Sequence, residues 1–269
     1  MKKILVAVMT LCVLCSCGST RKLVIIHTND THSHFEVERT LNLAGHGGVL
    51  ERSAFMDSVR TAEGVDNVLL LHAGDFSQGS SYFSELGGML EIEMLDAMGY
   101  DAAALGNHEF DNDLEALTER LKKLRHTQIL CANLDLSKYE LGRYVKPYAV
   151  FEKGGFKVGV IGVEVRFNGN VSKSITSRLT QLENAPVVNK WARHLRENEK
   201  CNLVILLSHL GYTEDQKLVP LISGVDFIIG GHSHTFVDDA IYLNDAEGKP
   251  VGIVSDGEWG LQMGKLTVR

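Results

Sequence analysis

Short segments spread along the chain carry side chains able to bind metal ions or move protons: Asn29-Asp30-Thr31-His32, Gly74-Asp75, Gly106-Asn107-His108-Glu109-Phe110-Asp111, Ser208-His209 and Gly231-His232-Ser233-His234. In each, an apolar run ends and a polar donor follows at once. Two donors one residue apart, as in Asp30-x-His32 and His232-x-His234, can enter one cavity from an irregular turn, and the flanking glycines let the backbone bend there. Imidazole with carboxylate suits Zn, Mn, Fe, Co or Ni better than Ca or a thiolate-bound ion. Asp30, His32, Asp75, Asn107, His209, His232 and His234 are too many donors for one tetrahedral ion. They suit two ions that share a carboxylate and a hydroxide, an arrangement that activates water and clamps an in-line displacement at phosphorus.

Such a set needs elements that bring distant segments together. Short, uniformly apolar runs precede the donors or lie between them: Leu23 to Ile26, Val68 to Leu71, Ala102 to Leu105, Val158 to Val163, Leu203 to Leu207, Phe227 to Ile229 and Val251 to Val254. Runs of this kind suit strands buried on both faces. Helical patterns fall between several of them. Leu114, Leu117, Leu121 and Leu124 share one face, with Glu119 and Lys123 spaced to pair on the other. Val49-Leu50, Ala54 and Val59 suggest a second helix, Leu90, Met94 and Met98 a third, and Val187, Trp191 and Leu195 a fourth. Gly154-Gly155 marks a hairpin turn between Tyr148 to Phe151 and the strand containing Val158, so the sheet is mixed and the class is layered α/β. In open α/β sheets the carboxyl ends of the strands border one crevice, where sites far apart in sequence meet.

With 269 residues, 44% hydrophobic and 23% charged, the chain is globular in composition. Its 27 Lys and Arg against 34 Asp and Glu give a formal charge of −7, which argues against a nucleic acid polymer as partner. Residues 1–16 read as a signal peptide, with Lys2 and Lys3 ahead of an apolar stretch too short for a membrane helix. Leu14-Cys15-Ser16-Cys17 resembles a bacterial lipoprotein box, with Cys17 as the lipidated residue; an ordinary secretory cut near Ser16 is the alternative. Removal of that peptide takes the formal charge to −9, so attachment to a membrane would rest on the acyl chains. Cys131 and Cys201 remain, either as one disulfide or as buried free thiols at strand ends.

The order Asp-x-His, Gly-Asp, Gly-Asn-His-Glu-Phe-Asp, Ser-His-x-Gly and Gly-His-Ser-His resembles the calcineurin-like metallophosphoesterases, in particular their periplasmic 5′-nucleotidase branch. Gly47-Gly48, Met98-Gly99-Tyr100-Asp101, Ala132-Asn133-Leu134 and Gly154 to Gly162 follow the same branch. The resemblance implies a four-layer α-β-β-α sandwich of two mixed sheets flanked by helices, with residues 17–22 as a linker and 23–269 as the catalytic domain. It implies one metal on Asp30, His32, Asp75 and His234 and a second on Asp75, Asn107, His209 and His232, with Zn, Mn or Co as the expected ions. His108 would be the catalytic histidine, its ring held by Asp111.

The implied activity is hydrolysis of a nucleotide 5′-phosphate monoester by attack of a metal-bridging hydroxide; cyclic-nucleotide phosphodiesterase or UDP-sugar hydrolase activity are alternatives. Full-length members also carry a C-terminal domain that grips the substrate. The expected partners are a small phosphorylated substrate and the envelope membrane through the lipid; the alternative from a different class is a chain that only binds metal until a separately encoded substrate-binding subunit docks. Glu164-Val165-Arg166-Phe167 departs from the family's usual small or hydroxyl residues. Among the other histidines, His34 could support the site through a hydrogen bond, His27 and His72 are expected to pack, and His46, His126 and His194 are expected at the surface.

Overall fold

Alternate residues of the apolar strands face two different cores, which is why those strands are apolar throughout. The computed structural model describes residues 21–269; the expected signal peptide, Cys17 and all but the end of the linker lie outside the described residues. In chain order the elements begin β1 (Leu23–Thr28), α1 (Val49–Glu63), β2 (Val68–His72), α2 (Ser81–Leu86), α3 (Met89–Met98), β3 (Ala102–Ala104), α4 (Leu114–Leu121), β4 (Gln128–Leu130), β5 (Leu134–Asp135) and β6 (Val145–Lys146). They continue with β7 (Tyr148–Lys153), β8 (Phe156–Glu164), α5 (Lys173–Thr176), β9 (Thr180–Gln181), α6 (Asn184–Glu197), β10 (Leu203–His209), α7 (Tyr212–Leu218), β11 (Phe227–Gly230), β12 (Ile241–Asn244), β13 (Pro250–Val254) and β14 (Gly264–Val268).

Two six-stranded sheets form, in the orders β14-β1-β2-β3-β4-β6 and β12-β13-β11-β10-β8-β7. The inner strands run parallel, whereas β14, β12 and β7 pair antiparallel at the edges, so both sheets are mixed. Leu23, Ile25, Leu69 and Leu71 of the first sheet meet Val158, Val160, Ile205 and Leu207 of the second in a shared core. The alternate residues Val24, Ile26, Val68 and Leu70 pack under α1, α3 and α4. Val204, Leu206, Ile228 and Ile253 pack in the same way under α6 and α7. The layering is α-β-β-α, as expected. The sheets approach so closely that a Cβ on Gly162 of β8 would lie 2.4 Å from the backbone oxygen of Leu130 in β4. The expected hairpin joins β7 to β8, and Gly154 and Gly155 take the positive φ values of 59° and 79° that this tight turn demands.

Three helix faces differ in detail from the pattern. On α1 the inward residues are Arg52, Met56 and Val59, while Leu50 is 77% exposed. Arg52 turns inward because its guanidinium donates to the carbonyl oxygens of His34 and Trp259. On α3 the buried set includes Ile92 and Leu95, with Leu90 and Met94 only half-buried. Because α4 ends at Leu121, Lys123 falls beyond it and Glu119 pairs with Lys122 instead. Cys131 and Cys201 are both free and buried, beyond the end of β4 and ahead of β10. No helix among the described residues is long and apolar enough to cross a membrane.

Candidate metal centre

The loops after β1, β2, β3 and β11, together with the last residue of β10, meet at one end of the two sheets. Backbone bonds fix the first two loops to each other: Asp30 N donates to Gly74 O at 3.0 Å and His32 N to Asp75 O at 3.1 Å. The third loop is held by His108 N, which donates to Asp75 Oδ1 at 2.9 Å. The loop after β11 is held by His232 N, 2.9 Å from Asp30 Oδ2. A Cβ on Gly231 would come within 2.8 Å of Ala73 O and 2.9 Å of His209 Nδ1, so only glycine permits this approach.

All seven donor residues read from the sequence come together. Asp30, His32 and His234 form one cluster and Asp75, His209 and His232 another, each with its ligand atoms within 4.8 Å of one another. Asp75 lies between them, with Oδ2 3.0 Å from His209 Nε2 and 3.9 Å from His32 Nε2. Asn107 joins through Oδ1, 3.0 Å from His232 Nδ1. His32 Nε2 and His234 Nε2 stand 3.0 Å apart. His108 comes within the same 4.8 Å of His32 and Asp75, while its Nδ1 lies 2.7 Å from Asp111 Oδ2 and its ring centroid 5.3 Å from that of His32.

The bend at these positions is carried by the donors themselves, joined at Asp75 by Gly74 at a φ of 92°. Asp30, His32, Asp75, His232 and His234 have φ between 47° and 71°, and they are five of the nine described non-glycine residues with positive φ. Each left-handed residue of this kind costs about 1–3 kcal/mol, and such strain gathers where side chains must be aimed.

Partners behind the imidazoles settle which nitrogen faces inward. Nδ1 of His209 donates to Ala73 O at 2.8 Å, Nδ1 of His32 to Gln78 O at 3.2 Å, and Nδ1 of His234 meets Glu258 Oε2 at 2.7 Å. Each leaves Nε2 toward the centre, the usual arrangement behind a metal-binding histidine. His209 is fully buried, and its Nε2 makes no hydrogen bond among the described residues. Burial disfavours its charged form, but the facing Asp75 outweighs this and raises the His209 pKa. Burial likewise pushes the Asp75 carboxyl up, and the His209 imidazole reverses this to leave it well below the ordinary range. A donor set that would otherwise hold a proton this tightly exchanges it for a divalent cation when one binds. Burial lowers His32 and His232, whereas the Asp30 carboxylate raises His234. The residues therefore fit a pair of divalent cations in chemistry, position and orientation.

Several contributors carried no role in the sequence reading. Glu109 is fully buried and accepts from Asp75 N at 3.0 Å, Ser77 N at 3.0 Å and Gly106 N at 2.6 Å, tying two donor loops together. Burial, aided by Asp75, raises its pKa to about 7. Its place inside Gly-Asn-His-Glu-Phe-Asp was the one signal available. Asn29 donates to Asp30 Oδ2 at 2.7 Å and to Gly257 O at 2.6 Å. His34, for which the sequence left support of the site open, meets the carbonyl of His32 at 3.0 Å through Nδ1 and stacks on Trp259 at 4.6 Å.

His27 does more than pack: its Nδ1 is 2.6 Å from Asp256 Oδ2 in the core. His72 also does more, being hydrogen-bonded at both nitrogens. His46 and His126 are exposed, and His194 is half-buried against Tyr148. Glu164 is buried with neither carboxyl oxygen hydrogen-bonded among the described residues, and burial raises its pKa well above the usual value. A cavity of about 1100 Å³ lined by Cys131, Tyr139, Val187 and Trp191 contains none of the donors.

The sequence profile of the calcineurin-like phosphoesterases matches residues 23–236. A snake venom 5′-nucleotidase from Gloydius brevicauda is 31% identical over 272 residues, which cover 92% of this chain and 45% of the relative. The human 5′-nucleotidase is 36% identical over 231 residues, covering 80% of this chain and 38% of the relative. The crystal structure of a 5′-nucleotidase precursor from Thermus thermophilus superposes with a TM-score of 0.83 at 36% identity, over 92% of this chain and 51% of that one. The chain thus spans about half or less of the length of these proteins.

Proposed function

Because the chain belongs to the calcineurin-like phosphoesterase family, we propose that it is a dimetal phosphohydrolase acting on a nucleotide 5′-phosphate monoester. The observation that supports this reading is the meeting of two donor clusters with Asp75 between them, 3.0 Å from His209 and 3.9 Å from His32, and with His108 and Asp111 alongside. The relatives named 5′-nucleotidase support the substrate class.

In this reading Asp30, His32, Asp75 and His234 hold one cation and Asp75, Asn107, His209 and His232 the other, with Zn, Mn or Co as the ions. The bound pair supplies a water acidic enough to act as nucleophile at neutral pH, and positive charge for the phosphoryl oxygens. The chain's own contribution is positional and protonic. Asp30, Asp75 and His209 lie buried at the base, while His108 and His234 are partly exposed, so the phosphate enters from the side these two histidines share. Asp111 engages His108 Nδ1, which aims Nε2 away from it, and that hydrogen bond raises the His108 pKa. The imidazolium can then donate from Nε2 to a phosphoryl oxygen or to the departing ester oxygen. Export and attachment to the envelope membrane through Cys17, facing the periplasm, belong to the same proposal.

A substrate panel tests it. The purified chain, with Mn²⁺, Co²⁺ or Zn²⁺, is offered AMP, a 2′,3′-cyclic nucleotide and UDP-glucose, with His108→Ala as control. Metal-dependent release of phosphate from AMP, lost in the control, is the expected result. Preference for the cyclic ester or the pyrophosphate would overturn the substrate class, and no turnover of any ester with any of the metals, alone or with a co-purifying protein, would overturn the activity.

A further inference from the structure

β2 ends at His72, which is 1% exposed and belongs to neither donor cluster. Its Nδ1 lies 3.2 Å from Gly74 N and its Nε2 3.0 Å from Thr31 Oγ1. A backbone N–H can only donate, so Nδ1 is the acceptor, the ring proton sits on Nε2, and the Thr31 hydroxyl receives it. Both nitrogens are thereby engaged and the ring is neutral. Burial, reinforced by the nearby Arg52 guanidinium, keeps the imidazolium from forming until a pH of about 3.

The two partners belong to different loops. Thr31 stands between Asp30 and His32, and Gly74, at a φ of 92°, immediately precedes Asp75. The same two loops share the backbone bonds Ala73 N to Thr28 O at 2.9 Å and Asp30 N to Gly74 O at 3.0 Å. Phe76 and Tyr100 meet the His72 ring edge-on, each at 5.7 Å. We propose that His72 is a positioning residue: through Thr31 and Gly74 it sets the separation of Asp30 and His32 from Asp75, and so the affinity for the cation those three share. The inference rests on the reading of the centre as a metal site.

The test uses the full chain stripped of metal and titrated with Mn²⁺, with binding followed by calorimetry and activity followed in parallel. His72→Phe keeps the ring and its contacts with Phe76 and Tyr100 but removes both nitrogens. Thr31→Val keeps the shape of its residue and removes only the acceptor. Wild type should bind two ions, and each variant should bind at least one of them about tenfold more weakly, within the 10–100-fold loss typical when a ligand's outer support is removed. Activity should return at high Mn²⁺ with little change in KM for the phosphoester, and His72→Gln, with an amide donor and acceptor, should recover part of the affinity. Variants that fold and bind Mn²⁺ as tightly as wild type would overturn the role of His72 alone, as would an activity deficit that excess Mn²⁺ leaves unchanged. A wild-type chain that binds no Mn²⁺ would overturn the metal reading itself and this role with it.

Discussion

His108 Nδ1 and Asp111 Oδ2 are 2.7 Å apart, and that contact favours the charged form of an imidazole standing beside the donor residues. The hydrogen bond to Asp111 raises the His108 pKa, so the ring keeps its proton to higher pH than a free histidine. Asp111→Asn removes the stabilising carboxylate and lowers that pKa. The basic limb of kcat/KM against pH should therefore move to lower pH, with about a tenfold loss at pH 8, whereas His108→Ala should lose the 10²–10⁴-fold typical of a general acid. A profile for Asp111→Asn that overlays wild type would end this assignment.

Removing divalent cations should lower both activity and melting temperature. A ligand present at a hundred times its Kd stabilises the native state by about 2.7 kcal/mol, provided the unfolded chain does not bind it. Thermal melts after chelation and during re-addition of Mn²⁺ measure the effect directly. In His209→Ala the rise on adding Mn²⁺ should shrink sharply, since the buried Nε2 is gone. Equal rises in both proteins would contradict a donor role for His209.

Glu109 accepts three backbone N–H groups within the core. Each buried donor left unsatisfied costs about 1–3 kcal/mol, so Glu109→Ala should lose about 3 kcal/mol or more of stability. Urea unfolding should show a lower midpoint with little change in slope. A loss below about 1 kcal/mol would mean that water replaces the carboxylate without cost.

Asp96 offers a pH test remote from the centre. Partial burial pushes its pKa up, but the N–H groups of Thr127, Arg125 and His126 and the Thr127 hydroxyl reverse this and leave it lowered. For a carboxyl with a depressed folded pKa, the stabilisation is complete above the unfolded value of about 3.9 and is lost as pH falls through the folded one. Wild type should exceed Asp96→Asn in stability above about pH 5, and the gap should close on further acidification. A gap independent of pH would show that the Asp96 charge is not what holds this turn.

The strands and the donors were legible in the sequence for the same reason. A strand buried on both faces, such as Leu203–His209, is an unbroken apolar run, and His209 at its end stands out against it. What escaped depended on partners far along the chain. His27 and His72 look alike as histidines ending apolar runs, and only the fold brings Asp256 to one and Thr31 to the other, 229 and 41 residues away. The inward face of α1 was misread because hydropathy favours Leu50 over Arg52, while two carbonyl acceptors supplied by other segments make the guanidinium the better inner residue. The left-handed backbone at Asp30, His32, Asp75, His232 and His234 has no signature in residue spacing, because tertiary bonds impose it.

The donors are divided between the sheets: Asp30, His32, Asp75 and Asn107 follow strands of the first, while His209, His232 and His234 belong to the second. His32 and His234, which meet at 3.0 Å, are separated by 202 residues of chain. Cations held there would act as a cross-link closing a very long loop, and any state in which one sheet has come away from the other would forfeit their binding free energy. Divalent metal would then add to the core the two sheets already share, and reinforce their unfolding as one unit.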